Sequence, residues 1–191
     1  MKILITGTTS GIGKTLSQYL ESKGHEILHL NRDQLDLSEV DDVKSYDMPC
    51  CDVLINNAGI DNRDDVIDAD FDLLEKTIKI NLLSPIVLSS LFAKTNPTGT
   101  IINITSSCVN SNRHDTILYS VSKFGLHKFT ELFRNSNYQN SLRVVELVPG
   151  KTKTPMAVGK NNLILEPSEI AETVDFILKN KNINQIYIKS Y

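Results

Sequence analysis

The residues of this chain best suited to proton transfer are Tyr119 and Lys123, which stand four positions apart. In a helix this spacing places the phenol and the ammonium on one face, a single turn apart. A carbonyl that accepts a hydride develops negative charge on its oxygen and needs a proton donor within hydrogen-bonding distance. A free tyrosine, with a pKa of about 10, is a weak acid near neutral pH. We expect the Lys123 cation to favour the phenolate and to lower the pKa of Tyr119, so that the pair could supply such a proton.

The same spacing occurs at Tyr19 and Lys23, so the pattern alone does not identify a catalytic site. The second copy differs in what precedes it. The apolar run over residues 100–105 predicts a buried strand, and Ser106, or Ser107 one position on, follows at its carboxyl end. Ligands bind at that end of the strands in open parallel sheets. We therefore interpret Tyr19 and Lys23 as surface residues and place the chemistry at the second copy.

A glycine-rich turn follows the first apolar segment. The run over residues 3–5 suits a strand buried on both faces, and it leads into a turn with three glycines. Glycines let a chain turn sharply as it leaves a sheet and approach a ligand closely, and the positive end of the next helix favours a phosphate. The stretch predicts a site for a dinucleotide pyrophosphate, although these glycines would also suit a simple turn. The residues expected around the phosphates are Thr6, Gly7, Thr8, Thr9, Ser10, Gly11, Ile12 and Gly13.

The end of the second predicted strand bears on the choice of cofactor. In a dinucleotide-binding fold, an acidic residue at this point binds the ribose 2′-hydroxyl of NAD. This chain has Asn31 followed by Arg32, and a guanidinium can pair with a 2′-phosphate. We therefore predict NADP (NADPH) as the preferred cofactor. NAD stays possible, because Arg32 could be a solvated side chain and Asp33 follows it.

Length and composition limit the class of protein. The 191 residues suit one domain (1–191), and a net charge of −3 without a basic block argues against a nucleic-acid partner. We expect a small-molecule substrate, no membrane partner, and a cytoplasmic protein, because the first strand begins without a cleavable signal and no apolar run could span a bilayer. Cys50, Cys51 and Cys108 suit neither a disulfide framework nor a CxxC metal site. We predict reduced core thiols and no metal.

The apolar pattern predicts strands that alternate with helices along the whole chain, which favours an α/β fold with a doubly wound, mostly parallel sheet covered on both faces. Ser38 and Asp41 resemble a capping box for one short helix. Pro85 should kink or interrupt the long helix predicted over residues 71–94. The other helices are predicted over 11–23, from about 119 and from 167, and the other strands over 25–30, 51–56, 142–148 and 186–189.

Several short motifs occur in an order that resembles the short-chain dehydrogenases/reductases. They are TGxxxGxG from Thr6, NNAG from Asn56, YxxxK from Tyr119 and PGxxxT from Pro149. The resemblance covers most of the chain. It implies a Rossmann-like, three-layer α/β/α domain that transfers a hydride reversibly between a nicotinamide and a ketone, an aldehyde or a secondary alcohol.

The resemblance also implies roles for single residues. The expected catalytic tetrad consists of Asn81, Ser106, Tyr119 and Lys123. In it Tyr119 acts as acid and base, Ser106 holds the carbonyl oxygen, and Asn81 anchors a water that relays protons. Lys123 would also hold the nicotinamide ribose. The further residues expected at the cofactor are Asp36 and Leu37 near the adenine ring, Asn57, Ala58 and Gly59 along its border, and Pro149, Gly150, Thr152 and Thr154 at its nicotinamide end.

Departures from the family pattern concern the substrate. The stretch between Thr154 and Pro167 is short, and the chain ends soon after the last predicted strand, so the pocket could be open or completed by a partner subunit. A homodimer or homotetramer is the expected assembly. Two other functions stay open: a catalytically silent NADP(H)-sensing or scaffold protein, and a sugar-nucleotide-modifying member of the family. The intact tetrad favours an enzyme, while the NNAG motif and the missing substrate domain count against sugar nucleotides.

Overall fold

A computed structural model describes residues 1–61, 70–110, 116–136, 141–156 and 164–189. Its strands are β1 (Lys2–Thr6), β2 (Glu26–Leu30), β3 (Val53–Asn56), β4 (Thr100–Ile104), β5 (Arg143–Pro149) and β6 (Gln185–Ile188). They form one six-stranded sheet in the order β2-β1-β3-β4-β5-β6. Every neighbouring pair is parallel, as the alternation of strands and helices predicts.

The helices are α1 (Gly11–Ser22), α2 (Val40–Lys44), α3 (Phe71–Ile78), α4 (Ser84–Thr95), α5 (Ile117–Ser136) and α6 (Pro167–Lys179). They cover both faces of the sheet. On one face, α1 and α6 pack against Ile3 and Ile5 of β1, and on the other α2 and α4 pack against Leu4 and Leu54. Neighbouring residues of β1 enter different cores because successive side chains of a strand point to opposite faces. The prediction of a three-layer, doubly wound α/β fold is confirmed.

The chain reverses its direction across the sheet at β1, which lies between β2 and β3. It first moves outward from β1 to β2 and then returns past β1 to β3, β4, β5 and β6. The loops that follow β1 and β3 therefore leave the sheet in opposite directions and open a crevice at the carboxyl ends of the strands. The predicted glycine turn and NNAG motif both lie at this crevice.

The connection between β2 and β3 holds only the short helix α2, but the predicted capping box is wrong. The Ser38 hydroxyl donates to Asp36 Oδ1 at 2.7 Å, and α2 follows Glu39 instead. A short polar side chain two residues beyond a carboxylate can satisfy it locally, and here this contact replaces the helix cap. Since the connection adds no strand outside β2, β2 is the edge strand of the described sheet.

The long predicted helix is interrupted close to Pro85, as expected. A π-helical segment, Lys79–Leu83, separates α3 from α4, and Pro85 lies in the first turn of α4. Proline has no N–H to donate to the carbonyl four positions earlier, which belongs to Asn81. Single π-helical turns are frequent at functional sites, and this one carries Asn81.

The cysteines differ in burial. Cys51 and Cys108 are buried, but Cys50 is exposed, so the prediction of core thiols is wrong for Cys50. The two adjacent residues precede β3, and only Cys51 turns into the core on the α4 face of the sheet. Within the described ranges, no helix is long and apolar enough to cross a bilayer.

Candidate active site

A cleft of about 730 Å³ opens at the carboxyl ends of the strands, on the crevice between β1 and β3. Its walls bring together sequence segments that lie far apart in the chain. Of the predicted site residues, those that line it are Gly7, Thr9, Ser10, Gly11, Ile12, Gly13, Asn31, Arg32, Asp36, Leu37, Asn57, Ala58, Gly59, Ser106 with its alternative Ser107, Tyr119, Lys123, Pro149, Gly150, Thr152 and Thr154. Asn81 does not line the cleft.

The glycine turn forms one end of the cleft. Gly7 and Gly11 have φ angles of +70° and +53°, which side chains rarely allow. A Cβ atom on Gly13 would overlap the Gly7 carbonyl and the Asn57 side-chain amide, so the first turn of α1 packs directly onto the loop. Ser10 precedes α1 without a side-chain capping bond, and the first turn of this helix carries no acidic residue. A positive helix end with nothing to neutralise it suits an anion.

The prediction that Thr6 and Thr8 lie around the phosphates is wrong, because both are buried and neither lines the cleft. The Thr6 hydroxyl accepts the backbone N–H groups of Asn57 and Ala58, at 3.0 and 2.9 Å. The Thr8 backbone N–H donates to Asn31 Oδ1 at 2.7 Å, and its hydroxyl donates to the same oxygen. These threonines hold the three loops of the site together, and of the four hydroxyls predicted at this turn Thr9 and Ser10 line the cleft.

The NNAG motif joins the glycine turn to the sheet. The Asn57 side-chain amide donates to the carbonyls of Thr6 and Gly7, at 2.9 and 3.0 Å. The Asn56 amide donates to Asn103 Oδ1 of β4 at 2.8 Å, deep in the core. A Cβ atom on Gly59 would lie 3.4 Å from Lys123 Nζ, so the small residue lets the loop pass close to α5. The motif thus fixes the distance between the turn and the Tyr119 helix.

Asn31, Arg32 and Asp36 lie at the open end of the cleft, after the edge strand β2. Arg32 has a side chain that is 64% exposed, and its Nε lies 3.5 Å from Asp36 Oδ2. Hydrogen bonds from the Ser38 backbone and hydroxyl, and then the charge of Arg32, hold the pKa of Asp36 below its ordinary value. Asp36 therefore stays ionised and steers the guanidinium along the rim of the cleft.

A side chain of β2 that sequence reasoning missed, His29, supports Asn31 through Thr8. The Thr8 hydroxyl lies 2.8 Å from His29 Nδ1, and His29 Nε2 lies 3.2 Å from Glu21 Oε1. Because Asn31 Oδ1 is already bonded to Thr8, the amide of Asn31 is held in one orientation. Sequence offered no motif for this link, because Thr8 and Asn31 come together only through the pairing of β1 with β2.

Tyr119 and Ser106 meet in the deeper part of the cleft. Both line the cleft, and Ser106 is the serine whose side chain acts on the phenol by lowering the pKa of Tyr119, which favours Ser106 over Ser107 as the partner. Burial raises the pKa of Tyr119 above its ordinary value, the interaction with the Ser106 side chain opposes that rise, and electrostatic repulsion from Cys108 and Asp61 adds to it. The expectation that Lys123 lowers the pKa of Tyr119 is therefore wrong in this structure. Spacing alone could not indicate how strongly the phenol is desolvated.

Lys123 is 4% exposed, and its ammonium is held by the protein rather than by the phenol. Nζ donates to the Ile104 carbonyl at 3.0 Å and lies 5.9 Å from the centre of the Tyr119 ring. Burial lowers the pKa of Lys123 to about 8. One of the three donors of the ammonium is used by Ile104, so others can serve a ligand in the cleft.

Asn81 acts behind the cleft wall. Its Oδ1 accepts the Ile60 N–H at 2.8 Å, and its amide donates to the Ile60 carbonyl at 2.8 Å and to Ser122 Oγ at 3.0 Å. The Ser122 hydroxyl in turn donates to the Tyr119 carbonyl at 2.7 Å. The side chain predicted to anchor a water is thus bonded to the protein, and it ties the loop after β3 to the first turn of α5.

Residues 150–156, which follow β5, line a further side of the cleft. The Thr152 hydroxyl donates to the Gly150 carbonyl at 3.0 Å, and Thr152 pairs with Leu165 in an isolated bridge. Thr154 lies against Gly11, where a Cβ atom would meet its methyl group at 3.3 Å. The PGxxxT element therefore lies directly opposite the glycine turn. The further lining residues for which sequence gave no motif include Ile60, Asp61, Cys108, Thr116, Lys151 and Met156.

Curated proteins of the same family align with most of this chain. A family model described as short chain dehydrogenase matches residues 43–163. An uncharacterised oxidoreductase of Staphylococcus saprophyticus is 24% identical, over 97% of this chain and 95% of the relative. The NADP-dependent 3-hydroxy acid dehydrogenase of Schizosaccharomyces pombe is 28% identical, over 94% of this chain and 87% of the relative.

Solved structures share the fold at lower identity. The 3-ketoacyl-(acyl-carrier-protein) reductase of Brucella melitensis, complexed with NADH, has a TM-score of 0.88 at 18% identity and covers 98% of this chain and 96% of its own. The alcohol dehydrogenase of Thermococcus sibiricus, complexed with 5-hydroxy-NADP, has a TM-score of 0.86 at 21% identity, over 99% of this chain and 96% of its own.

The alignment with the staphylococcal protein extends over 225 positions, more than the 191 residues of this chain, so the relative carries segments that this chain lacks. The match to the family model does not depend on those additional segments. The segment that matches the family model covers more than half of the residues of this chain. The chain therefore belongs to the short-chain dehydrogenase family and is an enzyme of the NAD(P)-dependent oxidoreductase class.

Proposed function

We propose that this protein is an NADP(H)-dependent oxidoreductase that interconverts a ketone or aldehyde with the corresponding alcohol, with Tyr119 as its acid and base. The observation that carries the proposal is the meeting of Ser106, Tyr119 and Lys123 in the wall of the cleft that also holds the glycine turn. The hydroxyls of Ser106 and Tyr119 could both donate hydrogen bonds to one carbonyl oxygen. A buried ammonium, that of Lys123, lines the same wall.

The cleft fits a dinucleotide at both ends. The positive end of α1 would hold the pyrophosphate together with the turn formed by Gly7, Gly11 and Gly13, which packs so closely that side chains there would meet Ala58, Thr154 and Asn57. The adenosine end would lie by Asn31, Arg32, Asp36 and Leu37, and the nicotinamide end by Pro149, Gly150, Thr152 and Thr154. When bound, the cofactor supplies or accepts the hydride.

The side chains of the cleft supply the proton and the polarisation of the carbonyl. With its pKa raised, Tyr119 stays protonated at neutral pH, which suits a donor to a carbonyl oxygen that gains negative charge. An alkoxide is a far stronger base than a phenolate, so the transfer from Tyr119 runs downhill. Ser106 holds the same oxygen, and Lys123 offers its remaining N–H donors to a ribose hydroxyl. Asn81 keeps Ile60 and the Tyr119 turn in register as a positioning residue.

The preference for NADPH rests on Arg32. Its side chain lies at the open rim, without an acidic residue at position 31 that would repel a 2′-phosphate. The relative from Schizosaccharomyces pombe is described as NADP-dependent, which supports this choice. Because the Arg32 Nε contact with Asp36 is long, at 3.5 Å, the guanidinium can turn toward a phosphate without losing a strong ion pair.

The proposal is tested by following NADPH absorbance with a panel of ketones and aldehydes, for the natural protein and for Tyr119→Phe. We expect turnover with the natural protein and its loss in the variant, while nicotinamide fluorescence shows NADPH bound by both. Tight NADPH binding without turnover on any member of the panel would favour a cofactor-sensing protein and contradict the proposal.

A further inference from the structure

A cluster of polar side chains that the proposed reaction does not use surrounds Glu146 of β5. Glu146 is 1% exposed and does not line the cleft. Its Oε1 accepts the Thr105 hydroxyl at 2.6 Å, and its Oε2 accepts the Gln185 side-chain amide at 2.6 Å. His127 Nδ1 lies 2.9 Å from Oε1 and 3.0 Å from Oε2. The end of β4, the helix α5 and the strand β6 therefore meet at one carboxylate.

Two of these partners belong to the segments that carry the proposed chemistry. Thr105 follows β4 and directly precedes Ser106 in the cleft wall. His127 follows Tyr119 by eight positions, about two helical turns, so both lie toward the same face of α5. The carboxylate thus connects the strand end that carries the serine with the helix that carries the phenol.

Stability alone does not account for an ionisable side chain at this position. The neighbours of Glu146 in β5, which are Val144, Val145, Leu147 and Val148, are buried and apolar. Replacing a buried, hydrogen-bonded ionic group by apolar residues of similar volume is often neutral or stabilising. Hydrogen bonds to a carboxylate are short and directional, so they fix a geometry that apolar contacts would leave looser.

We propose that Glu146 is a positioning residue, which sets the distance between the Ser106 hydroxyl and the Tyr119 phenol. It acts on the serine through Thr105 and on the helix of the tyrosine through His127. The proposal rests on the proposed function and adds to it a group that lies outside the cleft. Rates are sensitive to such placement, because a displacement of about 1 Å can cost about 100-fold.

Other contacts keep α5 on the sheet when this link is removed. Asn103 of β4 donates to the Thr130 hydroxyl at 2.8 Å, and Arg134 donates to a backbone carbonyl of β5 at 2.8 Å. Both contacts lie further along α5 than His127. Loss of the bonds to the carboxylate should therefore affect the catalytic end of the helix and leave its other end docked.

Thr105→Val tests the link, because valine keeps the shape of threonine and removes its hydroxyl. With NADPH and a ketone panel, kcat should fall about tenfold, whereas the KM of the ketone and the affinity for NADPH should change less than about twofold. Thr130→Val is the matched control, since it removes a buried hydroxyl between the same helix and the same strand. It should keep the natural kcat even where it lowers the melting temperature.

A double-mutant cycle separates positioning from a general weakening of the fold. If Thr105 acts through Ser106, Thr105→Val should lower kcat less than about twofold once Ser106→Ala is present. Glu146→Gln, which can still accept the Thr105 hydroxyl, should recover most of the rate that Glu146→Met loses. Where Glu146→Met does not fold, Thr105→Val decides. Similar losses in both backgrounds, or a natural kcat in Thr105→Val, would overturn the proposal.

Hydrogen exchange reads the same link without turnover and so separates it from the proposed function. The Cys108 N–H donates to Ser106 Oγ at 3.3 Å, and the Val109 N–H donates to the Ser106 carbonyl at 3.2 Å. Both amides report on the placement of the serine, and they should exchange faster in Thr105→Val. Faster exchange without reduction of any ketone by the natural protein would reject the oxidoreductase function and keep the positioning link. Unchanged exchange would overturn the proposal.

Discussion

The chain contains two Tyr-x-x-x-Lys pairs, and the structure gives them different surroundings. In the first pair, Lys23 Nζ lies 5.0 Å from the centre of the Tyr19 ring, closer than the 5.9 Å between Lys123 Nζ and Tyr119. Lys23, however, is exposed at the end of α1, whereas Lys123 is buried against β4. Proximity of phenol and ammonium is therefore common to both pairs, and burial in a cleft beside Ser106 is particular to the second.

Replacing the two tyrosines by phenylalanine is the strongest test of this difference. Tyr119→Phe keeps the ring but removes the proton donor, so kcat for carbonyl reduction should fall about 100-fold or more. Tyr19→Phe should retain nearly the natural rate, because Tyr19 does not line the cleft. Steady-state NADPH oxidation measures both. Similar rates in the two variants would remove the distinction between the pairs.

Variants of the two neighbouring serines test whether Ser106 distinguishes the second pair from the first. Ser106→Ala removes the hydroxyl proposed to hold the carbonyl oxygen beside Tyr119, and kcat should fall roughly tenfold to 100-fold, as for the loss of a hydrogen bond to a charged group. Ser107→Ala should have a much smaller effect, and it serves as the matched control. A greater loss in Ser107→Ala would move the assignment by one residue.

The two lysines should differ in their effect on stability. The pKa of Lys123 is lowered to about 8 by burial, so the charged form destabilises the folded protein by about 3 kcal/mol at neutral pH. Between pH 8 and about 10.5 the folded state releases this proton while the unfolded state keeps it, so the free energy of unfolding should rise with pH in that window. Lys123→Met should remove this rise.

At pH 7 and without cofactor, Lys123→Met should also stabilise the fold, by about 1 to 2 kcal/mol once the lost bond to Ile104 is subtracted. Thermal and urea unfolding across pH measure this, and Lys23→Met should follow the natural protein. A less stable Lys123→Met, or one that keeps the natural pH dependence, would show that the buried ammonium carries no such cost.

The smallest expected effect lies at the open end of the cleft. Arg32→Ala should weaken NADPH binding roughly fivefold and leave NADH binding nearly unchanged, since an exposed charge contributes about 1 kcal/mol. Titration by nicotinamide fluorescence compares the two cofactors. At saturating cofactor, Arg32→Ala should keep nearly the natural rate, because the rate depends on Tyr119 and Ser106. Equal weakening of both cofactors would contradict a role for Arg32 in their selection.

Sequence predicted the elements whose residues interact locally. The glycine turn and the strand ends were accessible because apolar runs stop where the chain leaves the sheet, as at Thr6 and Asn56. The buried location of Thr8 was not accessible, because its partner Asn31 belongs to another strand. Asp61 had no motif of its own. The direction of the Tyr119 pKa was missed because desolvation depends on the packed cleft, not on the spacing to Lys123.

The edge position of β2 makes the cofactor part of the local stability of the sheet. An edge strand has one neighbour, so its backbone hydrogen bonds open at a lower free-energy cost than those of central strands. The end of β2 leads directly into Asn31 and Arg32, at the expected adenosine site. A ligand that binds only the closed form suppresses such opening in proportion to its saturation. We expect amide protons of β2 to exchange faster than those of β1 in the free protein, and bound NADPH to slow β2 the most.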